Sequence, residues 1–228
     1  MKTYPIFAAL EGRSCLVVGG GPVAERKVQD LARAGARVTV VSPRLTPALQ
    51  AMAARGEIIH AAQEFTDRQV EGMALVIGAT DDPQVNSGVS AAAQSRGIWV
   101  NIVDAPELCT FIVPSQVRRG DLTVAISTGG ASPALARKLR LELDKALGPE
   151  YGPYAALLQA VREKVLAGRR GHPDNAQLFS RLVDSDLKEA LANKDGKRIN
   201  QILKEALGEI LPPTTLAELA NKAMEVEG

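Results

Sequence analysis

Gly19-Gly20-Gly21-Pro22-Val23-Ala24 fits the pattern G-x-G-x-x-A, and it sits between an apolar run and a stretch with helical spacing. That arrangement has a chemical use. Gly19 allows a tight turn, Gly21 lets the backbone approach a pyrophosphate, and Ala24 keeps helix and strand close. A helix starting at Pro22 and Val23 adds free N–H groups and positive potential. A glycine pattern alone is weak; strand, turn, helix and next strand in succession make a dinucleotide site the stronger reading here. The next strand ends Val40-Val41-Ser42-Pro43-Arg44, without the acidic residue that usually holds a ribose. Ser42 could bond a ribose hydroxyl and Arg44 could meet a 2′-phosphate, so these residues leave NAD and NADP open.

A second candidate is Asp104, in Asn101-Ile102-Val103-Asp104-Ala105-Pro106. In a doubly wound sheet, ligands bind beyond the carboxyl ends of the strands, which is where this residue falls. A carboxylate partly desolvated by a cofactor and an apolar ring could accept a proton. A plain loop cap before Pro106 explains the position equally well. Cys15 and Cys109, with only His60 and His172 beside them, make neither a disulfide framework nor a zinc spacing.

These groups need a scaffold, and the sequence supplies its pattern. Ser14 to Val18, Arg37 to Val41, Glu57 to His60, Ala74 to Gly78 and Ile98 to Ile102 read as five strands. Helices over Pro22 to Ala34, Thr46-Pro47 to near Gly56, and Pro83 to Arg96 separate them, which predicts a mostly parallel sheet. Asp81 and Asp82 are expected as helix caps. Thr110 to Val117 and Leu122 to Ser127 read as a hairpin or edge extension. Ser132 and Pro133 open a helix running to about Leu147. Beyond it, Tyr154 to Ala167, Asn175 to Ala192, Gly196 to Leu207 and Leu216 to Val226 all read helical, the last with Thr215 and Glu218 as a capping box.

The 228 residues carry 27 basic and 26 acidic side chains, a formal charge of +1, which removes any global pull toward nucleic acid. Aromatics at 4% argue against a base-stacking surface. The apolar stretch Tyr4 to Leu10 is too short to span a bilayer and is interrupted by Glu11 and Arg13. No membrane association and a cytoplasmic location are therefore the default expectation.

Several segments together resemble the siroheme synthase family, specifically its precorrin-2 dehydrogenase module. They are Tyr4-Pro-Ile-Phe, VVGGGPVAERK at 17–27, VVSP at 40–43, ATDD at 79–82 with Asn86, NIVDAPELCTFIVPS at 101–115 and ISTGGASPALARKLR at 126–140. The resemblance covers residues 4–147. It implies an α/β, Rossmann-like doubly wound sheet over 1–113, a small α+β dimerisation region over 114–149 and a helical C-terminal domain over 150–228. It implies a stand-alone form, because 228 residues leave no room for the methyltransferase domain of fused members.

It further implies a homodimer that oxidises precorrin-2 to sirohydrochlorin with NAD, in some members also inserting ferrous iron. Asp104 matches the family's candidate catalytic residue. Gly19, Gly21, Pro22, Val23, Ser42, Pro43 and Thr80 fall to the cofactor, with Thr80 near the nicotinamide ribose. The substrate carries many carboxylates, which assigns Asn101, Ser127, Thr128, Gly129, Gly130 and Arg137 to it. Arg118, Arg119, Lys138 and Arg140 read individually as a solvated charged face. No metal ligand is assigned, since two histidines give little support for an iron-holding site. A nucleotide-sensing module without catalysis is the competing class, and retention of the whole 101–115 segment argues against it.

Overall fold

Ser14–Val18 (β1) is buried from Cys15 onward and Leu75–Gly78 (β4) along its whole length, as strands covered on both faces must be. Arg37–Val41 (β2), Ile59–Ala61 (β3) and Trp99–Ile102 (β5) complete an all-parallel sheet of order β3-β2-β1-β4-β5. The computed structural model describes residues 2–225 and divides into two units, Met1–Val113 and Pro114–Gly228.

Alternate residues of each strand feed opposite faces. Cys15, Val17, Val38, Val40 and Ile77 pack with Pro22–Arg33 (α1) and Pro47–Ala54 (α2) through Ala24, Val28, Leu49 and Met52. Leu16, Val18, Val76, Val100 and Ile102 pack with Pro83–Gln94 (α3) through Val89, Ala92 and Ala93. The chain winds outward from β1 to β3, then returns to β4 on the other side of β1. The order therefore reverses between β1 and β4, and the loops after these two strands part there to leave a crevice.

In the second unit, Ser115–Arg119 (β6) and Leu122–Ile126 (β7) pair antiparallel as a separate two-stranded sheet, turning at Gly120 with φ +54°. Pro133–Ala146 (α4) follows, capped by Ser132, whose Oγ accepts from the Leu135 amide at 3.2 Å. The helices Tyr151–Arg169 (α5), Asn175–Val183 (α6), Leu187–Ala192 (α7), Gly196–Leu207 (α8) and Pro213–Glu225 (α9) share one core. The stripe Ile199, Ile202, Leu203 and Leu207 of α8 is almost wholly buried in it, each side chain contributing about 2 kcal/mol. No helix among the described residues is long and apolar enough to cross a membrane.

Four sequence expectations need correction. The strand expected over 110–117 begins only at Ser115. Thr110 instead occupies the outer edge of β5, its Oγ1 accepting from the Val100 amide at 2.8 Å, and Pro114 has no N–H to give a ladder. The expected helix 175–192 is broken at Ser185, which donates to the Leu182 carbonyl (2.7 Å) and accepts from the Leu187 amide (3.3 Å). The last helix starts at Pro213, whose fixed φ suits a first turn, so Thr215 lies inside the helix rather than capping it. Its expected end at Val226 lies outside the described residues. Finally, Arg119 is not merely solvated: it donates to the Leu147 and Asp144 carbonyls, both at 2.8 Å, tying the hairpin to the end of α4.

Candidate active site

Val18 pairs with Gly78, and Gly78 with Ile102, so the loops after β1 and β5 leave the sheet at one level. They are two strand spacings apart, about 10 Å. The glycine bend and Asp104 thus share the carboxyl edge of the sheet.

Each glycine in the bend answers a different constraint. Gly19 has φ +121°, and a Cβ there would meet the Ala79 carbonyl of the neighbouring loop at 2.3 Å. At Gly20 it would lie 2.0 Å from the Arg44 carbonyl oxygen, and the Gly20 carbonyl itself accepts from the Thr46 amide at 3.0 Å. Gly20 was not assigned from the pattern; the unbroken triple glycine was its only signal. At Gly21 a Cβ would meet nothing within 4 Å. The protein's own packing therefore does not require glycine at that position.

Pro22 has no amide hydrogen, and Glu25 is the first residue of the turn to donate, to the Gly21 carbonyl. Among the described residues the amides of Gly20, Gly21, Val23 and Ala24 find no protein acceptor, and no side chain caps α1. Open space over Gly21, unpaired amides and the positive end of α1 fit the pyrophosphate of a dinucleotide.

Several candidate side chains make hydrogen bonds that hold loops together. Ser42 Oγ donates to the Arg44 carbonyl at 2.7 Å, shaping the turn through Pro43, while His60 Nε2 donates to the Ser42 carbonyl at 2.9 Å. Thr80 Oγ1 donates to Asn86 Oδ1 at 3.0 Å, and Asn86 Nδ2 returns a bond to the Thr80 carbonyl at 2.9 Å. Asp82 caps α3, accepting from the Gln84 amide at 2.7 Å. Asn101 Nδ2 donates to the Phe111 carbonyl at 3.0 Å, fastening the chain beyond Cys109 to β5.

Asp104 behaves differently. It is exposed and has φ +59°, in the left-handed region that few residues except Gly, Asn and Asp enter. Buried Cys109 fixes the turn around it. Its thiol accepts from the Ile102 amide at 3.1 Å and lies 3.2 Å from the Ala105 carbonyl. Nothing in the sequence signalled this role for Cys109. Cys15 is fully buried beside Val17, and that burial raises its thiol pKa, as a structural hydrophobe's would be.

In the second unit the loop before α4 is closed on itself. Gly129 and Gly130 have φ +61° and +89°, and the Gly129 amide donates to Ser127 Oγ at 3.1 Å. Thr128 Oγ1 accepts from the Ser132 amide and donates to the Ser132 carbonyl, at 3.1 and 3.2 Å. The Thr128 hydroxyl thus both donates and accepts locally, whereas Ser127 Oγ only accepts. The amides of Gly130 and Ala134 have no acceptor among the described residues, and Arg137 is exposed.

Comparison with known proteins agrees with this geometry. Residues 6–115 match the family described as putative NAD(P)-binding, and residues 119–146 the family described as sirohaem biosynthesis protein, central. The siroheme synthase of Methylobacillus flagellatus is 54% identical over 165 residues, covering 72% of this chain and 35% of that protein. That of Thioalkalivibrio sulfidiphilus is 44% identical over 207 residues, 91% of this chain and 42% of its own. The chain thus spans less than half the length of these curated relatives. A solved structure, "SirC, precorrin-2 dehydrogenase", superposes with a TM-score of 0.74 at 25% identity, covering 90% of this chain and 98% of that one. With the glycine bend, the parallel sheet and both halves of the sequence in agreement, the chain belongs to the siroheme synthase family.

Proposed function

We propose that this chain oxidises precorrin-2 to sirohydrochlorin, with NAD as the hydride acceptor. One observation carries the reading. Unpaired amides around an open Gly21 share the sheet's carboxyl edge with an exposed carboxylate, Asp104, held by the backbone in an unusual conformation.

The reaction removes two hydrogens from the macrocycle, one as hydride and one as a proton. NAD, when bound, supplies the hydride acceptor at its nicotinamide. The chain's own groups do the rest. The α1 amides bind the pyrophosphate, and Gly19 and Gly20 let the β1, β2 and β4 loops close beneath it. Asp104 takes the proton, a contribution of about 10² to 10⁴ for a placed general base. Because Asp104 is exposed in the chain alone, water must be displaced from it by the bound cofactor and substrate. In the second unit, Arg137 and the free Gly130 and Ala134 amides suit carboxylates, and this chemistry supports assigning them to the substrate. The homodimer implied by the resemblance belongs to the same proposal; Leu135 and Leu141 of α4 are each more than two-fifths exposed but point about 120° apart, so they form no single apolar face.

The test is anaerobic incubation with precorrin-2 and NAD. NADH and sirohydrochlorin should form in equal amounts. NAD binding without either product would identify a sensor and overturn the enzyme reading.

A further inference from the structure

Lys27 lies on α1, six residues beyond the glycine bend, about 9 Å along the helix axis. Ala24, Val28 and Leu31 face the sheet, and Glu25 is fixed toward the β2 side because Thr46 Oγ1 donates to its carboxylate at 2.6 Å. Two residues on, at 100° each, Lys27 lies on the opposite flank with Val23, toward β4 and β5. Val103, adjacent to Asp104, packs against the same cluster as Ala24 and Val28. Helical side chains lean toward the N-terminus, so Lys27 reaches back to the carboxyl edge.

Lys27 is half-buried and has no hydrogen-bonded or ion-paired partner among the described residues. Burial lowers the ammonium's pKa, while the fields of Asp30 and Asp104 oppose that shift and Arg26 adds to it. A partly desolvated, unpaired cation is costly unless an anion arrives to meet it. The pyrophosphate is served by backbone amides at the helix start, and the ribose-side groups Ser42 and Arg44 lie on the other flank.

We infer that Lys27 is a substrate anchor, binding a carboxylate of the tetrapyrrole on the Asp104 side of α1. This rests on the tetrapyrrole reading above. The ammonium holds one edge of the macrocycle through its carboxylate. Lys27 then belongs to binding, and proton removal stays with Asp104.

The full chain, with Lys27→Met and Lys27→Arg, is titrated anaerobically with sirohydrochlorin in the absence of NAD, following its absorbance. NAD affinity is measured separately by calorimetry. Lys27→Met should weaken sirohydrochlorin binding about ten-fold, as loss of one charge-assisted contact does. Lys27→Arg should stay within about three-fold of wild type, and both should keep NAD affinity within about two-fold. In turnover, Lys27→Met should raise the precorrin-2 KM and leave kcat nearly unchanged. Unaltered sirohydrochlorin affinity in Lys27→Met, or a parallel loss of NAD affinity, overturns the inference. Lys27-dependent sirohydrochlorin binding by a wild-type chain that does not oxidise precorrin-2 would sink the reaction but support the anchor.

Discussion

Asp104 carries both a backbone conformation and a proposed chemical role, and substitution can separate them. A left-handed conformation costs an ordinary L-residue about 1–2 kcal/mol, and aspartate somewhat less. Asp104→Gly removes that cost but adds about 0.5–1 kcal/mol of chain entropy to the unfolded state. The side chain makes no hydrogen bond within the described residues, so little else is lost. The net effect is about 0 to +1 kcal/mol, an unchanged or slightly higher Tm, by at most a few degrees for the first unit. Asp104→Asn keeps the conformational tolerance and removes the proton acceptor. It should melt like wild type, bind NAD normally and lose about 10²- to 10⁴-fold in kcat. Thermal melts, NAD calorimetry and anaerobic NADH formation give the three readouts. Turnover by Asp104→Asn within about three-fold of wild type would refute the proton-acceptor role. A marked fall in the Tm of Asp104→Gly would refute the strain argument independently.

Three further outcomes follow from local geometry. Gly20→Ala places a methyl 2.0 Å from the Arg44 carbonyl and should lower the Tm in line with about 1–3 kcal/mol, whereas Gly21→Ala should melt normally and bind NAD more weakly; equal melting curves would contradict this contrast. Cys109→Ala removes the thiol that fixes the Asp104 turn and should cost about 1–2 kcal/mol in chemical denaturation and reduce kcat more than NAD affinity. Arg198 donates to both oxygens of Asp186 at 2.8 Å, and this bonding holds the carboxyl pKa below its ordinary value. A depressed carboxyl stabilises the folded state above its unfolded pKa, about 4, and that contribution is lost as pH falls through the folded value. Arg198→Gln should therefore leave a shallower acid dependence of helical-unit stability below about pH 4; an unchanged acid limb in circular dichroism would count against it.

The sequence reading succeeded where one physical rule acts over a short stretch. β1, β2 and α8 have the bounds expected from continuous apolar runs, a helical stripe and glycine or proline punctuation. It failed where a single side chain redirects the backbone. Residues 175–192 keep helical spacing throughout, and only the paired bonds of Ser185 break them. Thr110 looked like strand because it is β-branched among apolar residues, yet its hydroxyl takes a backbone position on β5.

The parts of the candidate site differ in what positions them. The glycine bend and Asp104 were legible because their positions depend on strand ends, which the sheet fixes. The hydroxyls of Thr80 and Thr128 and the amide of Asn101 were read as ligand groups, yet they spend bonds on Asn86, Ser132 and Phe111. Those partners lie 4 to 10 residues away and exist only once the loops have folded. Loop ends must satisfy their own polar backbone, so short polar side chains nearby are drawn into that task. The first turn of a helix is the exception, since its amides have no acceptor within the helix. Backbone N–H groups at α1, the exposed Asp104 and the half-buried Lys27 are among the groups at this edge that have no hydrogen-bonded partner among the described residues.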